Sequence, residues 1–347
     1  MGAEQGKRQL NVLVLEGLIL VLVVMMHTSA PEYIVVPLSY GIPTLFFIRG
    51  YQWKERTPLE VIRARIQLVA TYYTAGFIGT VLFVSFSPAK FLNYKKASYF
   101  LNLLVANVSK GDEVAVVVAP IWFLATLFSA DVLYALMRSY LKNGVVFSGL
   151  LFLSILIRPL VNHPLFFRLG SAFLGLPFVE LGWQFRKRGL KPNVFWFFVA
   201  LAVLLIASFY NGKVSWYTHD FGNVSLAYVG EVAIIVIGVY LGQLLTSSSL
   251  KSWLEKVALN ALFILPYHGV IGVLLAFLYL PFLKSIDTVQ TFVSKYWFLH
   301  FALTMAVIML LIDYLPSTAK RVLVGDIRLV GKFVRKVNDR VRKTIRK

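Results

Sequence analysis

Apolar segments of about the length needed to cross a lipid bilayer recur along this sequence from residue 10 to residue 315. A helix must present roughly 20 mostly apolar residues to span the hydrocarbon core, and no long polar stretch separates one segment from the next. With 58% hydrophobic residues among 347, the chain also lacks the polar surface of a soluble protein. The sequence therefore predicts an all-α polytopic membrane helix bundle of about ten transmembrane helices, at 10–27, 33–48, 67–86, 114–137, 144–161, 165–183, 194–210, 226–245, 258–283 and 296–315.

If the chain crosses the membrane at these spans, its loops are alternately rich and poor in Lys and Arg. Most of the 35 basic residues fall in every second loop or after residue 315, as is typical of the cytoplasmic side. The sequence thus predicts a multi-pass protein of the cell membrane with both termini in the cytoplasm. Lys7 and Arg8 before the first apolar run also suit a cleaved signal peptide, but the run is long enough to span the membrane.

Residues 316–347 are predicted to form a separate cytoplasmic tail. From Leu323 onward, apolar residues recur every three or four positions with Lys and Arg between them, which predicts a basic amphipathic helix. Such a helix rests on anionic headgroups of membrane lipids, or it docks a partner in a larger membrane complex. The net charge of +19 is concentrated here and beside the spans, so nucleic acid is not an expected partner.

The chain has no cysteine, which excludes disulfides, thiol catalysis and cysteine-based metal sites. Absence of this labile residue is typical of proteins from hot habitats, so a thermophile source is expected. The sequence shows no phosphate-binding loop, dinucleotide fingerprint or paired metal-ligand histidines. We therefore expect no metal cofactor.

Ionisable side chains within the predicted spans are few, and such groups are usually functional or paired. Glu16 and His27 lie about 16 Å apart along the axis of the first helix and close to one face, at 1.5 Å and 100° per residue. His27 is near the predicted outer end, where a neutral imidazole can accept a proton from a hydroxyl. The alternative is that the ionisable residues within the spans pair with one another. Besides Glu16 and His27, these residues are Arg49, Asp131, Arg158, Arg168, Glu180, Glu231, His268, His300 and Asp313.

Five segments, in order along the chain, resemble the acyltransferase 3 family. Residues 13–27 resemble its first helix, because an apolar run follows Gly17 and ends at His27. Residues 42–51 (IPTLFFIRGY) resemble its second helix, which has Phe-Phe and Ser-Gly-Tyr, and residues 120–124 (PIWFL) resemble its Leu-Trp-Phe-Leu motif. Residues 176–184 (LPFVELGWQ) resemble a helix that ends in an apolar-Gly pair, and residues 254–268 (LEKVALNALFILPYH) resemble the penultimate helix, which ends in His. The resemblance covers most of residues 1–315, the predicted transmembrane acyltransferase-like domain.

The resemblance implies a membrane-bound O-acyltransferase. Its members move an acyl group, such as acetyl, from acyl-CoA on the cytoplasmic side to a hydroxyl of a sugar, glycan or glycolipid on the outer side. It implies that His27 is the catalytic general base. Glu16, which lies on the same face of the helix, is the second catalytic candidate. Residues assigned to the acyl-CoA (acetyl-CoA) donor are Arg49, Arg63, Arg65, Trp122, Arg158 and His268. The positive-inside rule explains the basic residues of the inner loops without any ligand.

The chain also departs from the family. Glu16 stands where the family has a basic residue, Arg49 replaces a serine, and Ala258 and Ala261 replace a glycine and a serine. The rival interpretation is a non-catalytic protein on a degenerate acyltransferase fold, a pseudoenzyme that serves as an accessory subunit or a transporter. A transporter should show repeated halves, and the sequence shows no internal repeat. An accessory subunit should have its intramembrane charges mutually paired.

The predicted outer loop at 211–223 is rich in aromatic and polar residues. Trp216, His219, Asp220 and Asn223 suit stacking on a carbohydrate and hydrogen bonding to it. An ordinary interfacial loop has the same composition.

Overall fold

The computed structural model describes residues 10–86, 119–141, 144–161, 166–245, 249–283 and 285–328. Across these residues the chain is helical and forms no β-strand, apart from an isolated bridge between Ser215 and Asp220. The helices are α1 (Val12–Met26), α2 (Glu32–Ser39), α3 (Pro43–Tyr51), α4 (Pro58–Phe86), α5 (Trp122–Tyr140), α6 (Gly144–Leu156), α7 (Leu169–Arg188), α8 (Val194–Asn211), α9 (Val224–Leu244), α10 (Ser249–Leu259), α11 (Ala261–Leu278), α12 (Leu280–Leu283), α13 (Ile286–Lys295), α14 (Trp297–Tyr314) and α15 (Ser317–Leu323). The all-α prediction is confirmed for this part of the chain.

Several of these helices suit a membrane. In the described residues, five stretches are long and apolar enough to cross one: Glu32–Tyr51 (α2 and α3), Val194–Asn211 (α8), Val224–Leu244 (α9), Ala261–Leu283 (α11 and α12) and Trp297–Tyr314 (α14). Helices α1 and α6 are apolar but shorter. The membrane class is therefore supported, whereas the count of ten spans is not confirmed. Residues 114–118 of one predicted span and 329–347 of the predicted tail helix lie outside the described residues.

Side-chain caps mark where several helices begin. Asn11, Asn193 and Asn223 each accept a hydrogen bond from the backbone N–H three residues on, at 3.2, 3.2 and 3.1 Å, at the starts of α1, α8 and α9. Thr57 and Glu60 form a capping box before α4. The Glu60 carboxylate accepts from the Thr57 N–H at 2.8 Å, and the Thr57 hydroxyl accepts from the Glu60 N–H at 3.4 Å. Local polar residues thus fix the starts of these apolar helices.

The helices fall into two compact units. The first unit comprises Met1–Glu55, Leu141–His163 and Phe173–Ala261, and contains α1–α3, α6, α8–α10 and most of α7. The second unit comprises Arg56–Tyr140, Pro164–Ala172 and Leu262–Lys347, and contains α4, α5 and α11–α15. Each unit has its own buried interior.

Glycines let helices of the first unit approach backbone to backbone. A Cβ atom at Gly17 of α1 would overlap a carbonyl of α10. At a second crossing, a Cβ at Gly50 of α3 would overlap the carbonyl of Val179 in α7, and one at Gly182 of α7 would overlap the carbonyl of Phe47. Close contact through small residues is a main source of packing energy between helices in membranes. The crossing of α3 and α7 therefore requires glycine on both sides.

We expect Gly50→Ala and Gly182→Ala each to destabilise the protein by about 1–3 kcal/mol, the usual effect of overpacking. Thermal unfolding of the purified protein in detergent, followed by tryptophan fluorescence, measures this effect. Gly149→Ala in α6 is the matched control, because nothing lies within 4 Å of its added Cβ. This control should be neutral or stabilising by up to about 1 kcal/mol, since alanine favours a helix. Equal unfolding temperatures for all three variants would contradict the α3–α7 crossing.

In the second unit, α4 packs along α5, and the segment after α15 docks on α4. The side chains of Gln67 and Thr71 donate hydrogen bonds to the carbonyl of Val324, at 2.9 and 2.7 Å. The Tyr267 hydroxyl of α11 donates to the carbonyl of Leu323 at 2.8 Å. These bonds satisfy carbonyls that the end of a helix leaves without an intrahelical partner. The start of the predicted tail is thereby held against α4 and α11.

Asp326 stabilises the turn after α15. Hydrogen bonds from the Arg328 side chain and from Nε of Arg321 lower the pKa of Asp326 from 3.8 to about 2. A carboxylate whose pKa is lower in the folded protein stabilises it above the unfolded pKa and loses this effect as the pH falls. The turn should therefore be stable above pH 3.8 and open as the pH falls towards about 2.

Hydrogen exchange of residues 317–328, corrected for the pH dependence of the intrinsic rate, measures this opening. Asp326→Asn should exchange at neutral pH as rapidly as the wild type does in acid. Slow exchange in this variant at neutral pH would show that the carboxylate does not hold the turn.

Candidate functional site

His27 follows the last turn of α1, and its ring is exposed. Nδ1 lies 2.8 Å from the carbonyl oxygen of Val23. Because a carbonyl only accepts hydrogen bonds, Nδ1 carries the proton of the neutral ring and Nε2 holds the lone pair. The chain then turns at Ser29, whose φ of 58° is unusual for a residue other than glycine. The imidazole is thus held in the tautomer that makes Nε2 a proton acceptor.

Glu16 lies about three turns before His27 on the same helix and is half-buried. Helix α1 is continuous between the two positions, so both keep the common face that their spacing predicts. The adjacent residues Leu15 and Gly17 are buried, with Gly17 against α10. The carboxylate of Glu16 therefore lies at the edge of the packed face of α1.

Arg158 and Glu231 form a buried ion pair in the first unit. Nη1 and Nη2 of Arg158 contact the two carboxylate oxygens at 2.7 and 2.5 Å, and the side chains are 2% and 0% exposed. The indole Nε1–H of Trp216 donates to the same carboxylate at 2.7 Å. The guanidinium carbon lies 3.7 Å from the ring centre of Phe221, a cation–π contact. The charge of Arg158, which the resemblance assigns to the donor, is balanced by Glu231.

The loop at residues 212–223 turns its aromatic rings inward. Trp216 is 2% exposed, and its ring centre lies 5.5 Å from that of Phe46 and 6.1 Å from that of Phe178. His219 is also buried. The interpretation that Trp216 and His219 offer their rings to a carbohydrate is therefore wrong, because both rings fill the interior of the first unit. An aromatic-rich loop in the sequence does not reveal which way its side chains point.

The basic candidates on α3 and α4 have different surroundings. Arg63 is exposed, whereas Arg49 on α3 is half-buried. Nε of Arg65 lies 2.8 Å from Oδ2 of Asp131 on α5, a carboxylate that is 1% exposed. Breaking a pair that contains a buried charge is strongly destabilising. Arg65 therefore has a structural role as a counterion, whereas Arg63 is accessible to a ligand.

Trp122 and His268 are buried in the second unit. Trp122 begins α5, and the guanidinium carbon of Arg168 lies 5.4 Å from its ring centre. His268, within α11, is 1% exposed, and its Nδ1 lies 3.0 Å from the carbonyl oxygen of Ile264. As at the end of α1, this bond places the proton of the neutral ring on Nδ1.

The predicted site residues divide between the two units. The first unit holds Glu16, His27, Arg49 and Arg158, and the second holds Arg63, Arg65, Trp122 and His268. Among the described residues, no group of three or more His, Asp or Glu side chains is arranged to hold a metal ion.

Sequence reasoning missed one feature of the first unit. It did not pair Arg158 with Glu231, although the rarity of charges within spans was the available signal.

Comparison of the chain with family models, curated proteins and solved structures finds no match. The resemblance to the acyltransferase 3 family therefore rests on the five sequence segments. The activity that it implies stays a prediction.

Proposed function

We propose that this chain is a membrane-bound O-acyltransferase of the cell membrane, with both termini in the cytoplasm. It transfers an acyl group, such as acetyl, from cytoplasmic acyl-CoA to a hydroxyl of a sugar, glycan or glycolipid on the outer side. The observation that supports this most is the fixed tautomer of His27, with Nε2 as the proton acceptor on an exposed ring. The order of the five segments that resemble the acyltransferase 3 family also supports the proposal.

In the proposed reaction, Nε2 of His27 takes the proton of the acceptor hydroxyl while that oxygen attacks the thioester carbonyl carbon. The C–S bond breaks, coenzyme A leaves as a thiolate, and the imidazolium gives its proton to the sulfur. The products are the acylated acceptor and free coenzyme A. The bond from Nδ1–H to the Val23 carbonyl persists in the imidazolium, which carries protons on both nitrogens. Glu16 is the second acid–base candidate on the same face of α1.

The phosphates of the donor require cationic partners. Arg63 suits this role best, because its side chain is exposed at the start of α4. Arg49 and Arg65 are further candidates, although Arg65 also pairs with Asp131. Arg158 is the least suited, since its guanidinium is enclosed with Glu231. Trp122 and His268 complete the set of donor candidates.

Equilibrium binding of acetyl-CoA to the purified protein in nanodiscs tests this function. We expect the wild type to bind, and Arg63→Ala to weaken binding by about tenfold, the effect of one lost charge-assisted contact. Lys191→Ala is the matched control, because Lys191 is also an exposed basic residue on the predicted inner side. No binding of acetyl-CoA by the wild type would overturn the proposal.

The second candidate function is a non-catalytic one, as an accessory subunit of a membrane complex or as a transporter. It is favoured by the buried pair Arg158–Glu231 and by the pairing of the buried Asp131 with the partly exposed Arg65, since intramembrane carboxylates that are paired require no ligand. On this alternative the wild type does not bind acetyl-CoA. The same binding measurement therefore separates the two functions.

A further inference from the structure

His300 lies one turn into α14 and differs from the two other histidines of the predicted spans. Nδ1 of His27 and Nδ1 of His268 lie 2.8 and 3.0 Å from the carbonyl oxygen four residues earlier in the same helix. His300 is buried in the second unit, and among the described residues its Nδ1 has no hydrogen-bond partner. Burial of a polar group without a hydrogen bond is costly. The other nitrogen, Nε2, is therefore the one through which this ring can be satisfied.

Gly272 of α11 faces Nε2 of His300. A Cβ atom at Gly272 would lie 3.9 Å from this nitrogen, 3.8 Å from Oγ1 of Thr304 and 3.9 Å from Cγ2 of Thr304, and these are its nearest contacts. Separations of this size are ordinary van der Waals contacts. Gly272 and Thr304 are both buried. The interior of the second unit thus has room for one methyl-sized group between α11 and α14.

The hydroxyl of Thr304 can accept a hydrogen bond in this gap. It donates its own proton to the carbonyl of His300 at 2.8 Å, one turn earlier in α14. A hydroxyl has one proton and two acceptor lone pairs, so Oγ1 keeps its capacity to accept. Two polar atoms, Nε2 and Oγ1, therefore face the same gap between two helices that are apolar enough to cross a membrane.

Aromatic side chains cover the ring of His300. Tyr279, which lies between α11 and α12, meets it edge-on with the ring centres 6.0 Å apart. Phe292 of α13 packs in turn on Tyr279, with ring centres 5.3 Å apart. The imidazole is thereby shielded from bulk solvent, which cannot freely supply the missing hydrogen bond.

We propose that the gap at Gly272 binds a single water molecule, which hydrogen-bonds to Nε2 of His300 and to Oγ1 of Thr304. A water oxygen is smaller than a methyl group and can lie about 1 Å nearer to both atoms, within the usual length of a hydrogen bond. A buried water requires a polar site of its own size with roughly two to four partners, and this gap meets both conditions. The site does not depend on the proposed transferase activity.

Gly272→Ala tests the site through the sign of its effect on stability. The added methyl group displaces the water and leaves Nε2 without a partner, so we expect the unfolding temperature in detergent to fall by about 2–4 °C. If no water is bound, the same methyl group fits at ordinary contact distances, and the unfolding temperature should rise because alanine favours a helix. Gly149→Ala, whose added Cβ has nothing within 4 Å, is the matched control and should show no fall.

Removal of both partners of the water should abolish the fall. His300→Leu combined with Thr304→Val keeps side chains of similar size but leaves no group to bond a water. In that background, Gly272→Ala should be neutral or should raise the unfolding temperature. A fall of the same size in both backgrounds would reveal a steric cause and overturn the inference, as would a rise in the otherwise wild-type protein.

Electron cryo-microscopy of the wild type, at a resolution that shows ordered water, tests the site without any variant. We expect one isolated density feature between α11 and α14, within about 3.2 Å of both Nε2 of His300 and Oγ1 of Thr304. A gap without density, or density out of reach of either atom, would contradict the water site even if the variants do not fold.

Discussion

Replacement of His27 by alanine is expected to lower the rate of acetyl transfer by about 10²–10⁴-fold, the usual contribution of a general base. Alanine cannot take the hydroxyl proton that the lone pair on Nε2 accepts in the proposed reaction. The fold should be retained, because the ring is exposed and bonds to a carbonyl of its own helix. Release of the coenzyme A thiol by wild type and His27→Ala in nanodiscs measures the change, with unfolding temperature as the control for folding.

Chemical rescue separates catalysis from a structural role. Imidazole added to His27→Ala should restore part of the transfer rate, because a free base can occupy the space that the ring leaves. A structural defect would not respond to added imidazole. A His27→Ala variant with nearly the wild-type rate would show that another group accepts the proton.

Substitution of Glu231 by alanine is expected to destabilise the protein by about 3–5 kcal/mol, the usual effect of removing one partner from a buried pair. Arg158 would then be a buried cation without its counterion. The Nε1–H of Trp216 would lose its acceptor as well. A lower unfolding temperature in detergent and a lower yield of folded protein should report this loss.

A double variant tests whether the uncompensated charge causes the instability. Arg158→Leu combined with Glu231→Leu should be clearly more stable than Glu231→Ala, because apolar replacement of a whole buried pair is often neutral or stabilising. An unfolding temperature for Glu231→Ala equal to that of the wild type would contradict the pair.

The helices that hydropathy predicted well have long apolar runs with polar caps. Helices α8 and α9 begin after Asn193 and Asn223 and lie close to the predicted spans. The predicted span at 33–48 proved to be two helices. Two features account for the break between these helices. Pro43 has no N–H to continue the helix, and the hydroxyl of Tyr40 bonds to the carbonyl of Ala207 at 3.1 Å. The bond of Tyr40 is a tertiary contact, which a hydropathy pattern does not contain.

The candidate site was predictable only within one helix. The common face of Glu16 and His27 follows from helical spacing alone. The pairing of Arg158 with Glu231 depends on how α9 packs beside the turn at Arg158–Leu160, so sequence order could not identify it. Trp216 was misread for the same reason, since composition suits an exposed ring and a buried one equally.

The sidedness of acetyl transfer in proteoliposomes tests the proposed function most directly. Radiolabelled acetyl-CoA is enclosed in the lumen or added outside, with decyl glucoside supplied as the acceptor on the opposite face. Protease accessibility of the basic C-terminal tail reports the orientation of the protein. The proposed function predicts labelled acceptor only when the donor is on the tail side, and its loss in His27→Ala. Labelled acceptor in neither arrangement would contradict the acyltransferase and favour the non-catalytic membrane protein.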